Sequence, residues 1–203
     1  LYADDMWDAV LEAGKKHNLM VIAPAHHRRI QAGILSWGQD LDHEHNPFQC
    51  NLGYQVSLSG KGEWAKKGDY IGKQALEKMK ADLKDGHKPY KLQLVGFEIG
   101  GKPIDEYAPD FWLVSPGDGG DPCGFITSPW YHPEKGKNIA MGYIPFDGTL
   151  NSNGFPKWEL GKKFKVHLPD IYADEPGVPV DAVTVDVPFT ESFNANTREV
   201  VKG

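Results

Sequence analysis

At 203 residues, 40% hydrophobic and with a formal charge of −6, the chain is long enough to bury a core as one large domain or two small ones. The acidic balance and the lack of a Lys/Arg stripe argue against a nucleic-acid partner, and no apolar run nears the ~20 residues of a membrane span. Cys50 and Cys123 lie far apart with no CxxC spacing, which fits free thiols in a reducing compartment, the cytoplasm, better than a disulfide framework.

The chain opens on Leu1 without a methionine, and it is expected to be a fragment. Asp4 or Asp5 caps a first helix whose apolar positions Met6, Trp7, Val10 and Leu11 share a face. Gly14 and the Lys15-Lys16 pair supply its stop. Residues 19–22 read as a short buried strand ended by Pro24. Residues 26–34 read as a second helix with Ile30, Gly33 and Ile34 on one face, Gly33 admitting a close backbone. A charged loop over 40–47 and a polar surface excursion over 57–69 follow. Residues 71–83 form a helix by the spacing of Ala75, Leu76, Met79 and Leu83, ended by Asp85-Gly86.

From Tyr90 the pattern turns to short apolar runs: 92–99, 111–114, 124–127, 138–144, 164–168 and 180–187. The turn clusters PGDGGDP, HPEKGK, NSNG and DEPG separate them. Such punctuation predicts an antiparallel barrel or sandwich. The expected fold class is α+β, with an α+β portion over 1–89 and a β module over 90–203.

The stretch from Pro24 to Tyr54 gathers two arginines, four histidines, a Ser-Trp pair and several carboxylates, and it reads as the wall of a ligand site. Adjacent His26 and His27 diverge on a helix, and His43 and His45 lack the spacing of a zinc site, so for His43 and His45 solvent-facing loop histidines are the plainer reading, and no metal is expected. One of Arg28 and Arg29 faces solvent while the other leans across the helix. There its fork suits either a carboxylate ligand or a structural ion pair. Trp37, in a Gly-flanked turn, is a stacking platform or a core plug. Trp130 and Tyr131 sit in a loop between two strands, as a lid or a groove lining. There is no nucleophile elbow, phosphate loop or dinucleotide fingerprint.

Four blocks taken together resemble one family. R-I-Q-A-G-I-L-S-W-G-Q-D-L-D (29–42), N-P-F-Q-C-N-L-G-Y (46–54), D-Y-I-G-K-Q-A-L (69–76) and G-F-I-T-S-P-W-Y-H-P-E-K-G-K-N-I-A-M-G-Y-I (124–144) are similar, in order, to blocks of the aminomethyltransferase (glycine-cleavage T-protein) superfamily. Gln31 stands where that family has Glu and Trp37 where it has Tyr. The wording A-P-A-H-H-R-R-I-Q-A-G-I-L-S-W-G-Q-D and the ending V-P-F-T-E-S-F-N-A-N-T-R-E resemble its tetrahydrofolate-dependent aryl-O-demethylases, which act on lignin-derived methoxy-aromatic acids. The dimethylsulfoniopropionate demethylase is the alternative within the superfamily.

The resemblance implies that the chain is the C-terminal part of a folate-binding α+β domain followed by an antiparallel barrel or jelly-roll-like module, completed by an N-terminal half. It implies methyl transfer from a small-molecule methyl donor, an aryl methyl ether, to tetrahydrofolate. By resemblance Arg29 and Trp37 line the folate or substrate pocket. Ser36 is assigned to a substrate carboxylate and Arg28 to the same substrate. No catalytic acid is named, since a phenolate-stabilising donor is expected upstream of Leu1. Two other classes stand against this enzyme: a scaffold that keeps the fold without the chemistry, and a metal-dependent barrel enzyme using the histidines.

Overall fold

A computed structural model describes residues 2–22, 25–56, 58 and 68–189. Pro24, most of the expected 57–69 excursion and the end of the chain from residue 190 lie outside the described residues. Six strands, β1 (Leu92–Ile99), β2 (Trp112–Pro116), β3 (Gly124–His132), β4 (Lys137–Pro145), β5 (Lys163–Val166) and β6 (Val180–Val185), close into a barrel in the order β1-β4-β3-β2-β5-β6. Every pairing is antiparallel. The expected antiparallel barrel is what forms.

The period-2 alternation of strands explains the two apolar layers. Val95, Phe97 and Ile99 of β1 meet Val114, Ile126, Phe164 and Val166 inside the barrel. The alternate residues, Leu94 of β1 with Ile139, Met141 and Tyr143 of β4, point outward into a second cluster closed by Ile30 and Phe189. Both faces of β4 are therefore covered, and seven of its nine residues are buried. Gly142 marks a close approach, since a Cβ there would stand 2.5 Å from the Phe125 carbonyl oxygen.

The helices are α1 (Ala3–Gly14), α2 (His26–Gln31) and α3 (Lys73–Lys84). Leu83, with Leu76 and Met79, packs α3 against Phe48 and Phe146, as its spacing predicts; Ala75 is exposed. The segment before Tyr54 is tied to the barrel by the buried Gln93. Its amide donates to the Gln49 carbonyl at 2.9 Å and to Asn51 Oδ1 at 2.5 Å, beside a Leu94 N–H bond to Gln49 O of 3.0 Å.

Several expectations change. α2 ends at Gln31, not residue 34, because Gly33 turns to a φ of +67°, a conformation a helix cannot contain. Its missing Cβ makes room for Val187, and Phe189 N–H bonds back to Gln31 O at 2.9 Å. Residues 19–22 form no strand and are exposed, since no other described strand pairs with them; the apolar face of α1 is exposed too. Asp4 and Asp5 stand in the first turn of α1 rather than capping it, and Asn18 in the left-handed region closes its 3-10 extension. Trp130 and Tyr131 belong to β3, not to a loop.

His132, at the end of β3, is buried with no hydrogen-bond partner for either ring nitrogen among the described residues. Burial holds its pKa below the ordinary 6.5, Glu134 and Glu98 pulling against Lys135. Its folded-state pKa is the lower one, so the unfolded chain binds the proton first and stability falls as pH drops below about 6.5. In a His132→Phe variant, a urea midpoint followed from pH 7.5 to 5 is expected to decline less than in the parent chain. An equal decline would show that His132 does not contribute.

Candidate functional site

The wall expected between residues 24 and 54 is assembled around one buried carboxylate. Asp40 is 1% exposed, and a charge removed from water must be paired and hydrogen-bonded. Its Oδ2 accepts from Arg29 Nη1 at 2.9 Å and from the Ser36 backbone N–H at 2.8 Å. Its Oδ1 accepts from the hydroxyls of Thr127 at 2.5 Å and Ser128 at 2.6 Å. The Tyr143 hydroxyl donates to the Asp40 carbonyl at 2.7 Å; burial pushes that phenol's pKa well above its usual value.

Neighbouring residues of a strand point to opposite faces, so Thr127 and Ser128 reach one oxygen only because the ladder slips. The pairing of β3 with β4 shifts register between Ile126 and Ser128, and this bulge turns both hydroxyls to the same side. The loop makes a matching turn. Gly38, at a φ of +81°, sends its N–H to Leu41 O at 2.8 Å, and Asp40 N–H returns to Ser36 O at 2.8 Å.

Arg29 takes the inward place of the arginine pair, its side chain 16% exposed. All five of its N–H donors are engaged. Nε donates to His26 Nδ1 at 3.2 Å, Nη1 to Ile34 O at 3.2 Å and to Asp40, and Nη2 to Gln39 Oε1 and Ser128 Oγ at 2.9 Å each. Of the two alternatives open in the sequence, the guanidinium forms the structural ion pair, and no N–H is left over for a ligand. Gln39 extends the network, its amide donating to Thr127 O at 2.8 Å and to Ala108 O at 3.4 Å. That second bond holds the 105–111 loop, which carries the exposed Tyr107 and Phe111, against the wall.

Trp37 is neither buried nor a plug. Its indole is 62% exposed, with His43 edge-on at 4.9 Å. Ser36 is half-buried and its hydroxyl has no partner among the described residues. Arg28 is exposed and likewise unpaired among them. The structure thus places Ser36 and Trp37 side by side on the turn that Arg29 braces, while Arg28 projects from α2. His45 pairs with Asp42 at 2.7 Å, and among the described residues no three His, Cys, Asp or Glu side chains converge as metal ligands. Cys50 is buried against the Tyr143 hydroxyl at 3.4 Å, and burial pushes its thiol pKa up. No described helix is long and apolar enough to cross a membrane.

Two open cavities lie elsewhere. One of about 370 Å³ is lined by Phe48, Tyr54, Phe155 and Trp158, and one of about 340 Å³ by Gly33, Leu35, Cys50, Met141 and Pro188. Neither touches Arg29 or Trp37. Asp40, Gln39, Thr127, Ser128 and Tyr143 were not singled out in the sequence, although all five stand inside the family-like blocks. The adjacent G-Q-D and T-S letters were the available signal.

No protein-family model matches the chain. It is 31% identical over 144 residues to the aminomethyltransferase of Symbiobacterium thermophilum, covering 69% of this chain and 33% of that protein. It is 29% identical over 145 residues to the aminomethyltransferase of Chloroherpeton thalassium, covering 70% and 35%. The dimethylsulfoniopropionate demethylase of Ruegeria pomeroyi is 29% identical over 166 residues, covering 81% and 38%. The crystal structure of the glycine cleavage system aminomethyltransferase T from Bartonella henselae superposes with a TM-score of 0.55 at 20% identity, covering 80% of this chain and 37% of that one. The chain spans about a third of the length of the curated relatives it matches.

Removing one partner of a buried pair leaves the other charge uncompensated, at about 3–5 kcal/mol. Asp40→Asn is expected to lower the unfolding free energy by about that amount in a urea titration, and Arg29→Lys by less, since an ammonium keeps the charge opposite Asp40 while giving up two of the five donors. A loss below about 1 kcal/mol for Asp40→Asn, the worth of a surface pair, would show that the network does not hold the wall.

Proposed function

The chain belongs to the aminomethyltransferase superfamily, and from that premise we propose that it forms one wall of a tetrahydrofolate-dependent O-demethylase. The reaction moves a methyl group from a lignin-derived methoxy-aromatic acid to the cofactor. Residues 1–89 then belong to the folate-binding α+β region and 90–203 to the C-terminal β module. The rest of the site comes from further chain in the same polypeptide. The cytoplasm, where free thiols persist, is the matching compartment.

The observation that carries this reading is the braced turn of residues 36–40, which turns an exposed indole outward while the arginine behind it is locked on Asp40. The exposed indole suits a flat cofactor, whose fused ring would stack on its face. Trp37 would hold tetrahydrofolate by stacking, and Arg29 would act on it through the turn that it braces. Tetrahydrofolate, when bound, supplies the secondary amine that accepts the methyl group. Arg28 and the Ser36 hydroxyl are the groups here that can bind the substrate carboxylate and so orient the methoxy carbon.

The dimethylsulfoniopropionate demethylase match, which covers more of this chain than the aminomethyltransferases above, favours a sulfonium methyl donor as the second reading. Incubating the protein that carries this chain with tetrahydrofolate and either vanillate or dimethylsulfoniopropionate distinguishes the two by which yields 5-methyltetrahydrofolate. Failure of tetrahydrofolate to bind in a calorimetric titration would end both.

An aromatic stack contributes about 0.5–1.5 kcal/mol, so Trp37→Ala is expected to weaken tetrahydrofolate binding roughly two- to twelvefold. An unchanged dissociation constant would remove Trp37 from the cofactor site. Ser36→Ala is expected to raise KM for carboxylated aryl ethers by up to about tenfold, the worth of one hydrogen bond, with kcat little altered. A KM equal to that of the parent enzyme would refute the assignment.

A further inference from the structure

His26 commits one of its two ring nitrogens. Nδ1 accepts the Arg29 Nε–H at 3.2 Å, which fixes the tautomer with the proton on Nε2. Among the described residues Nε2 has no partner, and it is not among the sealed polar atoms of the molecule. The ring lies against two aromatic side chains, Tyr107 at 4.7 Å and Trp130 at 6.2 Å between ring centres, the latter within 13° of parallel. Its orientation is inherited from the barrel through Ser128, Asp40 and Arg29.

Resting on the O-demethylase reading above, we propose that His26 Nε2–H donates a hydrogen bond to the ether oxygen that releases the methyl group. It thereby selects an aryl methyl ether over a sulfonium as methyl donor. A donor N–H stabilises an atom that gains negative charge in the transition state. A sulfonium sulfur starts positive and ends as a weak acceptor, so the same N–H repels it at the outset and gains little later. The aromatic rings beside His26 suit the flat arene of the ether.

In the step itself the methyl carbon–oxygen bond breaks and its electron pair stays on oxygen. The carbon passes to the acceptor amine, and the proton displaced from that amine balances the one the phenolate finally takes up. His26 keeps its own proton throughout. Burial and the Arg29 charge lower the imidazole's pKa, against Asp40, which raises it, so the ring is the neutral donor over the physiological range.

The test uses the full-length protein with His26→Phe, which has no donor, and His26→Gln, which restores an N–H at similar reach. The probe is 3-hydroxy-4-nitrobenzoate, a chromophoric analogue of the demethylated product with its phenol at the position of the released methoxy oxygen, and its ionisation is read by absorbance in the complex. The bound phenol should ionise about tenfold more readily on the parent protein than on His26→Phe, the effect of one hydrogen bond to a charged oxygen, with His26→Gln between. In turnover, the kcat loss in His26→Phe should shrink as the leaving phenol becomes more acidic. Identical nitrophenol ionisation in parent and His26→Phe, or a loss independent of the leaving group, would overturn the role of His26 while leaving the O-demethylase intact. A parent protein that demethylates no methoxyarene would overturn the underlying reading instead.

Discussion

The Arg29–Asp40 pair is the joint on which the candidate site depends. A carboxylate with almost no solvent contact costs several kcal/mol in desolvation, and Coulomb attraction alone repays this poorly. Here four hydrogen bonds to its two oxygens and a fifth at its carbonyl complete the compensation. What such a pair contributes is geometry more than stability. The charge has only one place where all its acceptors are filled, and that place fixes α2, the turn of residues 36–40 and strand β3 relative to one another.

The barrel takes part through an irregularity rather than through its regular ladder. Without the slip between Ile126 and Ser128, Thr127 and Ser128 would point to opposite faces and one hydroxyl would be lost to Asp40. Tyr143 on β4 and Gln39 on the turn complete the contact from either side. The folded barrel thus provides the stiff base, and the short polar side chains convert its position into the position of Trp37 and His26. Neither aromatic could be held so by α2 alone, a helix of six residues too short to be stable by itself.

Much of this was legible in the sequence. The strands announced themselves by alternation and turn residues, and α3 by its spacing, because both signals are local. The inward arginine was foreseeable as one of two outcomes. Which one it takes depends on Asp40, Gln39 and Ser128, and Ser128 is 99 positions away along the chain. Long-range partners of this kind leave no periodicity. Trp130 was misplaced for a related reason: Thr127-Ser128-Pro129 looks like a break, whereas Pro129 sits inside the strand just past the bulge. Residues 19–22 show the converse, an apolar run of strand composition with no described strand beside it.

The contrast between Arg29 and Trp37 sets a requirement on the proposed chemistry. The arginine is enclosed and fully bonded, while the indole on the turn that it braces is mostly bare, and neither of the two cavities described above touches either residue. Sites for small ligands cover most of the ligand's surface, and electrostatic help to a leaving oxygen is strong only where water is kept out. A wall that is rigid behind and bare in front meets neither half by itself. Both call for a facing surface that covers Trp37 and keeps water from His26 Nε2, which has no partner among the described residues. If the His26 bond to the leaving oxygen is as directional as its locked tautomer implies, that facing surface needs to supply enclosure and the methyl acceptor, not a second donor to the same oxygen.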